Sequence, residues 1–164
     1  MRKITKESSK AFVNFKPYKK DNTEVVIDHL NDPLGKDAKF YLHGYCIVLS
    51  GGNGVYRNID LCGWHTPTTR ERINGVLDAW GYDFRIAQRN HEQVLIRKEI
   101  TKSFIVHNLA KDIDPKSVGE TPKKFFDEQT LKLSDDSFDP EFAKRVFESR
   151  CFKNGTDLNA IKNF

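Results

Sequence analysis

Residues 39–98 decide the fold, and they read KFYLHGYCIVLSGGNGVYRNIDLCGWHTPTTRERINGVLDAWGYDFRIAQRNHEQVLIRK. Both ends of this stretch alternate apolar with polar residues, a period of two that is typical of strands. Its middle carries apolar residues at helical spacing instead. The stretch therefore predicts two strands, one helix and two further strands. That order favours a small antiparallel sheet with one helix packed on it.

The helix in this stretch has clear start and stop signals. Thr66 is expected to cap its N-terminus, and Pro67 to occupy the first helical position, where a missing N–H costs nothing. A stripe of apolar side chains at helical spacing follows: Ile73, Val76, Leu77 and Trp80. Gly81 is expected to end the helix. The apolar stripe is predicted to lie in the core.

The strands around the helix follow from composition and turn residues. Residues 40–50 are predicted to form one strand, and residues 55–62 the return strand. Residues 51–54 read Gly-Gly-Asn-Gly and predict a hairpin loop, because these residue types tolerate positive φ. Upstream, we expect a short helix capped by Thr5 and a strand over residues 23–28.

Residues 1–98 are therefore expected to form an α+β core domain with the order α-β-β-β-α-β-β. After residue 98 the sequence pattern changes, and residues 99–164 are predicted to be a helical C-terminal extension. One helix is expected over residues 103–112. Thr121 and Asp139 are each followed by proline, which repeats the helix-start signal at Thr66.

Composition and charge indicate which kinds of partner and which cellular compartment the sequence favours. The net charge is +4, with 38% hydrophobic residues and three cysteines. Residues 1–98 carry 16 Lys or Arg and 11 Asp or Glu, whereas residues 99–164 carry 11 and 12, so only the first part favours an anionic partner. The polar N-terminus and the lack of a long apolar run predict a cytoplasmic protein without a membrane partner and with reduced thiols.

Two pairs of soft ligands are spaced as in a structural zinc site: His43 with Cys46, and Cys62 with His65. Strand geometry opposes this interpretation, because residues three apart on a strand point to opposite faces. A cysteine nucleophile would also need an orienting acid, and Asp60 is the only one nearby. We therefore assign no metal, no cofactor and no catalytic residue. A zinc- or cysteine-dependent enzyme is a remote alternative.

Nucleic-acid binding is a stronger alternative. Four arginines on predicted strands could form a basic face: Arg57, Arg85, Arg89 and Arg97. Aromatic residues available for stacking are Tyr41, Tyr45, Tyr56 and Trp64. Such a face can follow a phosphate backbone and stack bases. The same arginines also fit the solvated face of a one-sided sheet, and neither an RNP sequence nor a helix-turn-helix is present.

A longer pattern connects the first strand with the helix. It consists of His43-Gly44-x-x-Ile47, then Gly63-Trp64-x-Thr66-x-Thr68-Thr69-x-Glu71-Arg72-Ile73-Asn74-x-x-Leu77. Over about residues 3–98 the chain resembles a small domain of unknown function that recurs in short proteins of tailed bacteriophages. The resemblance implies a phage accessory protein, not an enzyme. It also implies stoichiometric binding of a host or anti-phage-defence component in the host cytoplasm.

The resemblance does not extend to the C-terminal residues, which are expected to supply the surface for a protein partner. Their weakly amphipathic segments carry phenylalanines that could serve as exposed anchors: Phe125, Phe126, Phe142 and Phe147. The identity of that partner and the oligomeric state are not indicated by the sequence.

Overall fold

A computed structural model describes residues 1–29, 35–100, 126–149 and 151–161, without the side chains of residues 99, 100, 126 and 127. Within these residues the α+β class is confirmed. The helices are α1 Lys3–Val13, α2 Pro67–Trp80 and α3 Pro140–Ser149. The strands are β1 Tyr18–Lys20, β2 Thr23–His29, β3 Lys36–Leu42, β4 Tyr45–Gly51, β5 Tyr56–Asp60, β6 Phe84–Arg89, β7 Glu92–Ile100, β8 Phe126–Lys132, β9 Ser137–Phe138 and β10 Thr156–Asp157. Short 3₁₀ turns lie at Gly52–Gly54 and Leu158–Ala160.

The strands form two sheets, where the sequence suggested one. The six-stranded sheet has the order β1-β2-β3-β4-β5-β9, and the four-stranded sheet the order β10-β8-β7-β6. The pairing of β10 with β8 is parallel. Because β9 pairs with β5 and β8 pairs with β7, residues beyond position 98 contribute strands to both sheets.

The predicted single strand over residues 40–50 is wrong, because the chain reverses at His43 and Gly44. β3 ends at Leu42 and β4 begins at Tyr45. The turn residues have φ values of 51° at His43 and 82° at Gly44. Two consecutive residues with positive φ form the tight turn that matches the twist of paired strands, and glycine adopts this conformation without a steric cost.

Two local predictions are confirmed. The loop at residues 51–54 connects the antiparallel strands β4 and β5. The α2 helix begins as expected, since the Thr66 hydroxyl accepts a hydrogen bond of 3.1 Å from the Thr69 N–H and Pro67 is the first helical residue. Gly81 ends α2 in the left-handed conformation, with φ at 83°.

The first helix begins earlier than predicted. α1 starts at Lys3, and Arg2, not Thr5, stands at the cap position. Thr5 is fully buried, and its hydroxyl bonds Glu71 at 2.9 Å and also the guanidinium of Arg72. Thr5 therefore joins α1 to α2 instead of capping α1.

One apolar core connects both sheets and all three helices among the described residues. Fully buried side chains come from each part: Phe12 of α1, Phe40 of β3, Leu77 of α2, Leu95 of β7 and Phe147 of α3. The predicted stripe of α2 belongs to this core: Ile73, Val76 and Leu77 are fully buried, and Trp80 is partly buried. Helix α2 thus sits between the two sheets, with contacts to both β4 and β6.

The segment predicted to be helical after Thr121 contains β8 instead. Residues 126–132 pair antiparallel with residues 94–100 of β7. This long-range pairing outweighs the local helix-start signal, because propensity is only a weak determinant once tertiary contacts compete. The helix expected after Asp139 is present as α3, and the one expected over residues 103–112 lies outside the described residues.

Strand β6 lies at an edge of the four-stranded sheet, and α2 contacts it. The Asn74 carboxamide accepts a hydrogen bond of 2.8 Å from the Ile86 N–H and donates one of 2.9 Å to the Ile86 carbonyl. A helix side chain therefore satisfies the backbone groups that a further strand would otherwise bond.

Candidate functional site

The β3–β4 hairpin, the loop after β5 and the first turn of α2 enclose a groove of about 440 Å³. Its buried lining consists of two apolar residues, Leu42 and Ile47, which are only 3% and 1% exposed, and of Thr69. Tyr45 and Trp64 are the large hydrophobic residues exposed in its lining, at 47% and 49%, and His43 is exposed beside them. A concave, largely apolar site of this size is typical of a preformed binding site.

Tyr45 and Trp64 form an aromatic pair at the mouth of the groove. Their ring centroids lie 5.8 Å apart, with the ring planes inclined at 53°. Within the described part of the chain, neither the Tyr45 hydroxyl nor the Trp64 indole N–H has a hydrogen-bond partner. Large aromatic rings that are half exposed and carry an unused polar group are characteristic of binding surfaces.

The hairpin turn fixes the position of Tyr45. The His43 N–H donates a hydrogen bond of 2.8 Å to the carbonyl of Asn22, in the turn between β1 and β2. The Nδ2 atom of Asn22 lies 2.9 Å from the imidazole Nε2 of the same histidine. Two bonds therefore anchor the turn that immediately precedes Tyr45.

The loop that carries Trp64 is held from the C-terminal part of the chain. Cys62 and Gly63 both have positive φ, at 53° and 76°, which turns the chain sharply after β5. Asp136 accepts a hydrogen bond of 2.6 Å from the Gly63 N–H, and its other carboxylate oxygen lies 2.5 Å from the His65 Nε2. The Asp136 carbonyl also accepts a bond of 3.0 Å from the Leu61 N–H.

The N-terminal end of α2 contributes three threonines to the groove lining, Thr66, Thr68 and Thr69. The guanidinium of Arg2 donates a hydrogen bond of 3.2 Å to the Thr68 hydroxyl and forms an ion pair with Glu71 at 2.6 Å. Hydrogen bonds from Arg2 lower the pKa of Glu71 to about 2. The N-terminus of the chain is thereby fixed beside the groove.

Most of the arginines predicted to bind nucleic acid are engaged in ion pairs. Arg57 pairs with Glu141 at 3.0 Å, and its guanidinium lies 4.6 Å from the centre of the Trp80 ring. The other ion pairs are Arg89 with Glu128 at 2.5 Å and Arg97 with Asp83 at 2.7 Å. Arg85 is exposed and has no such partner among the described residues. The expected single basic face is also divided, because Arg57 lies on β5 of the six-stranded sheet and the other three arginines lie on β6 and β7 of the four-stranded sheet.

The phenylalanines predicted to anchor a partner do not form one exposed surface. Phe147 is fully buried, with its ring centroid 5.4 Å from that of Phe84, so the expectation that it is exposed is wrong. It lies on the face of α3 that packs into the core. Phe142 is partly buried against the same core, below the guanidinium of Arg145. Phe126 belongs to β8 without a described side chain, and Phe125 lies outside the described residues.

The side chains of the four residues with zinc-like spacing do not converge on one point. His43 approaches Asn22, and His65 approaches Asp136. The Cys46 thiol donates to the Val48 carbonyl at 3.5 Å, and the Cys62 thiol donates to the Cys46 carbonyl at 3.4 Å. Within the described ranges, no three His, Cys, Asp or Glu side chains are grouped to hold a metal ion.

Neither thiol near the groove has the electrostatic environment of a nucleophile. Burial, followed by the negative charge of Asp60, raises the pKa of Cys62 to about 11. Burial also raises the pKa of Cys46. A catalytic cysteine needs the opposite shift, because the thiolate is the reactive form.

Sequence reasoning names Tyr45 and Trp64 only as separate stacking residues. A single strand over residues 40–50 would place Tyr45 within a sheet, far from any turn. The signal that could reveal the groove is the His43-Gly44 pair inside an apolar run, since glycine favours the positive φ of a tight hairpin. The bond from Asp136 to the Trp64 loop spans 73 residues and has no local sequence signal.

In the part of the chain that the structure describes, no helix combines the length and hydrophobicity that a membrane span requires. Residues 1–111 match the protein family described as Kyanoviridae Gp96 protein. No curated protein and no solved structure matches the chain. The matched residues include the β3–β4 hairpin, the Trp64 loop and α2, but not Asp136.

Proposed function

This chain belongs to the Kyanoviridae Gp96 protein family, a family of tailed-phage proteins, and we propose that it acts as a non-catalytic accessory protein during infection. In this proposal it binds one protein of the host or of its anti-phage defence in the host cytoplasm, as a stoichiometric inhibitor or adaptor. The observation that carries the proposal is the half-exposed pair of Tyr45 and Trp64 beside an apolar groove. Trp and Tyr are enriched among the residues that dominate protein–protein binding energy.

The rigidity of the groove supports a binding role. The hairpin turn is anchored to Asn22, and the Trp64 loop is anchored to Asp136. The backbone segments that carry the two aromatic residues are therefore anchored before a partner arrives. A preorganised surface loses less conformational entropy on association, which increases affinity for a given contact area.

The chemistry around the groove supports a role without catalysis. The Cys62 thiol has a raised pKa, and the contact between His65 and Asp136 serves to hold the loop. The threonine hydroxyl at the start of α2 is used as a helix cap. These groups are engaged in maintaining structure, and none of the eight residues that line the groove is Asp or Glu.

Affinity capture with the tagged full-length chain tests the proposal. Wild-type protein and the Trp64→Ala and Tyr56→Ala variants are incubated with lysate of host cells, with and without nuclease, and recovered proteins are identified by mass spectrometry. We expect a partner that survives nuclease and is lost with Trp64→Ala. Tyr56 is the matched control, because it is 55% exposed but lies outside the groove lining. The recovered partner is then purified and mixed with the chain to measure the stoichiometry.

Two results would contradict this function. One is a partner that wild type and Trp64→Ala recover equally, because binding would then use another surface. The other is turnover of a small substrate that a single side-chain change abolishes. Circular dichroism of each variant verifies that a loss of binding does not reflect unfolding.

A second candidate function is nucleic-acid binding, which one observation favours. Arg85 is exposed, unpaired within the described residues, and lines a cleft with Lys98, to which Asp78 and Asp83 also contribute. If this cleft binds a phosphate backbone, affinity should fall steeply with salt concentration, since each phosphate contact releases counterions. Titrating wild type and Arg85→Ala with an oligonucleotide at several salt concentrations tests this, and we expect Arg85→Ala to bind more weakly. If wild type does not bind at low salt, nucleic-acid binding is excluded as a function.

A further inference from the structure

We propose that the Tyr45–Trp64 groove binds an extended, proline-containing segment of its protein partner in the polyproline II conformation. This inference rests on the proposed function, and it names the chemistry of the partner. It follows from the sheet topology, the dimensions of the groove, its unused hydrogen-bond donors and its charge.

The sheet topology disfavours a bound β-strand. β3 lies between β2 and β4, and β4 lies between β3 and β5. The backbone groups of the strands that line the groove are therefore already paired within the sheet. A partner segment cannot add to them as a further strand, because strand addition needs a free edge. The segment must dock through side chains and isolated hydrogen bonds.

The dimensions of the groove disfavour a bound helix. Its volume of about 440 Å³ is of the size that accommodates a small ligand or a few side chains. A helix with its side chains is about 10–12 Å wide and needs a long apolar channel for anchors on successive turns. Tyr45 and Trp64 contact each other, with ring centroids 5.8 Å apart, so proline rings on a narrow extended segment would pack against the exposed faces of this pair and not between the two rings.

The unused donors match the unused acceptors of a polyproline II segment. The Tyr45 hydroxyl and the Trp64 indole N–H are without acceptors in the described part of the chain. A polyproline II segment has no internal hydrogen bonds, so all its carbonyl groups are available to accept. Aromatic-lined grooves are the recurrent receptors for such segments.

The charge of the groove favours a neutral peptide over a nucleic acid. None of the eight lining residues is Lys, Arg, Asp or Glu. Arg2 reaches Thr68 at the groove, but its charge is neutralised by Glu71 at 2.6 Å. A phosphate backbone needs cations along its path, whereas a proline-containing segment does not.

A peptide array tests the inference with the full-length chain. The array carries peptides about twelve residues long with two prolines three positions apart, the spacing of polyproline II ligands, and a matched set with alanine at both positions. The strongest binder is then measured in solution against wild type, Trp64→Ala and Tyr56→Ala. We expect affinity to fall at least about tenfold with Trp64→Ala, and also with alanine in place of the prolines. Tyr56→Ala should leave affinity within about twofold of wild type.

Several outcomes would overturn the inference. The first is that the alanine peptides bind as strongly as the proline peptides, and the second is that no peptide on the array binds. The third is that a single-stranded oligonucleotide binds the wild-type chain but not Trp64→Ala. The lysate capture separates this failure from failure of the proposed function. If the capture recovers a protein partner that depends on Trp64 but no proline peptide binds, the proposed function stands. Only the inference that the groove binds a polyproline II segment is then refuted.

Discussion

Asp136 bonds both sides of Trp64: its carboxylate accepts from the Gly63 N–H at 2.6 Å and lies 2.5 Å from the Nε2 of His65. The residue lies in the segment between β8 and β9, far from this loop in sequence. Since these bonds involve a charged carboxylate, they are stronger than neutral ones. Asp136 thus determines where the exposed indole of the groove is placed.

Replacing Asp136 by alanine should therefore destabilise the fold and loosen the loop. We expect the free energy of unfolding, measured by urea denaturation, to fall by about 1–3 kcal/mol. Partner affinity should fall as well, because the Trp64 side chain is no longer held. The control is Asp135→Ala, an exposed neighbour that should change stability by less than about 0.5 kcal/mol. Equal stability of the two variants would show that the bonds to Asp136 contribute nothing.

Gly75→Ala should destabilise the chain, against the usual preference for alanine in helices, which favours it by about 1 kcal/mol. A Cβ atom at Gly75 would lie 2.5 Å from the Thr5 Cγ2 and 2.6 Å from the Ser9 Oγ. The helices would have to separate, so we expect a loss of about 1–3 kcal/mol in chemical denaturation. Adding Thr5→Ser removes the methyl group and should restore part of the loss.

The control for this helix is Asp78→Ala, at an exposed position of α2, which should have little effect. A Gly75→Ala variant that is more stable than wild type would disprove the close contact between α1 and α2.

Acid should destabilise the chain through Glu71. Hydrogen bonds from Arg2 lower its pKa to about 2, from an ordinary value of 4.5. A depressed pKa means that the ionised form stabilises the fold above the ordinary value. This contribution is present at neutral pH and is lost as the pH falls from 4.5 towards 2. Urea denaturation at a series of pH values should show this decline in wild type.

In Glu71→Gln the stability at neutral pH should be lower, and its decline over the same acidic range should be smaller. Glu148→Gln removes a carboxylate at an exposed position of α3 and serves as the control. If Glu71→Gln and wild type lose stability in parallel on acidification, the ion pair with Arg2 does not act as described.

Cys62 should react slowly with alkylating reagents. With a pKa of about 11, only about one thiol in a thousand is ionised at about pH 8. Cys151 is exposed and provides an internal comparison in the same sample. Mass spectrometry of peptides during iodoacetamide treatment should find Cys151 modified first. Rapid modification of Cys62 would contradict its burial and revive the cysteine-enzyme alternative.

Some short-range signals in this chain predict structure correctly, although those at Thr5 and Thr121 do not. Thr66, Pro67 and Gly81 specify α2 through bonds and φ values that involve only neighbouring residues. The same reasoning predicts α3 after Asp139 and the loop before β5. Each of these features depends on capping or on the conformational freedom of glycine, which are local properties.

Features that depend on distant residues could not be predicted. The start of α1 is determined by the burial of Thr5 against Glu71 and Arg72, and β8 is stabilised by its pairing with β7. The groove itself requires the hairpin turn at His43 and the bond from Asp136. A pattern of hydrophobic residues records which side chains are buried, but not which distant partner covers them.

The bonds between Asn74 and Ile86 have a consequence for the behaviour of the chain at high concentration. An open strand edge is a template on which further copies of a protein can assemble into insoluble aggregates. Here the carboxamide occupies both backbone groups of Ile86, so a second copy cannot extend the sheet at that point. Asn74 belongs to α2, the helix whose first turn contributes Thr68 and Thr69 to the groove lining. One helix therefore lines the groove and also protects this point of the sheet edge from a second copy.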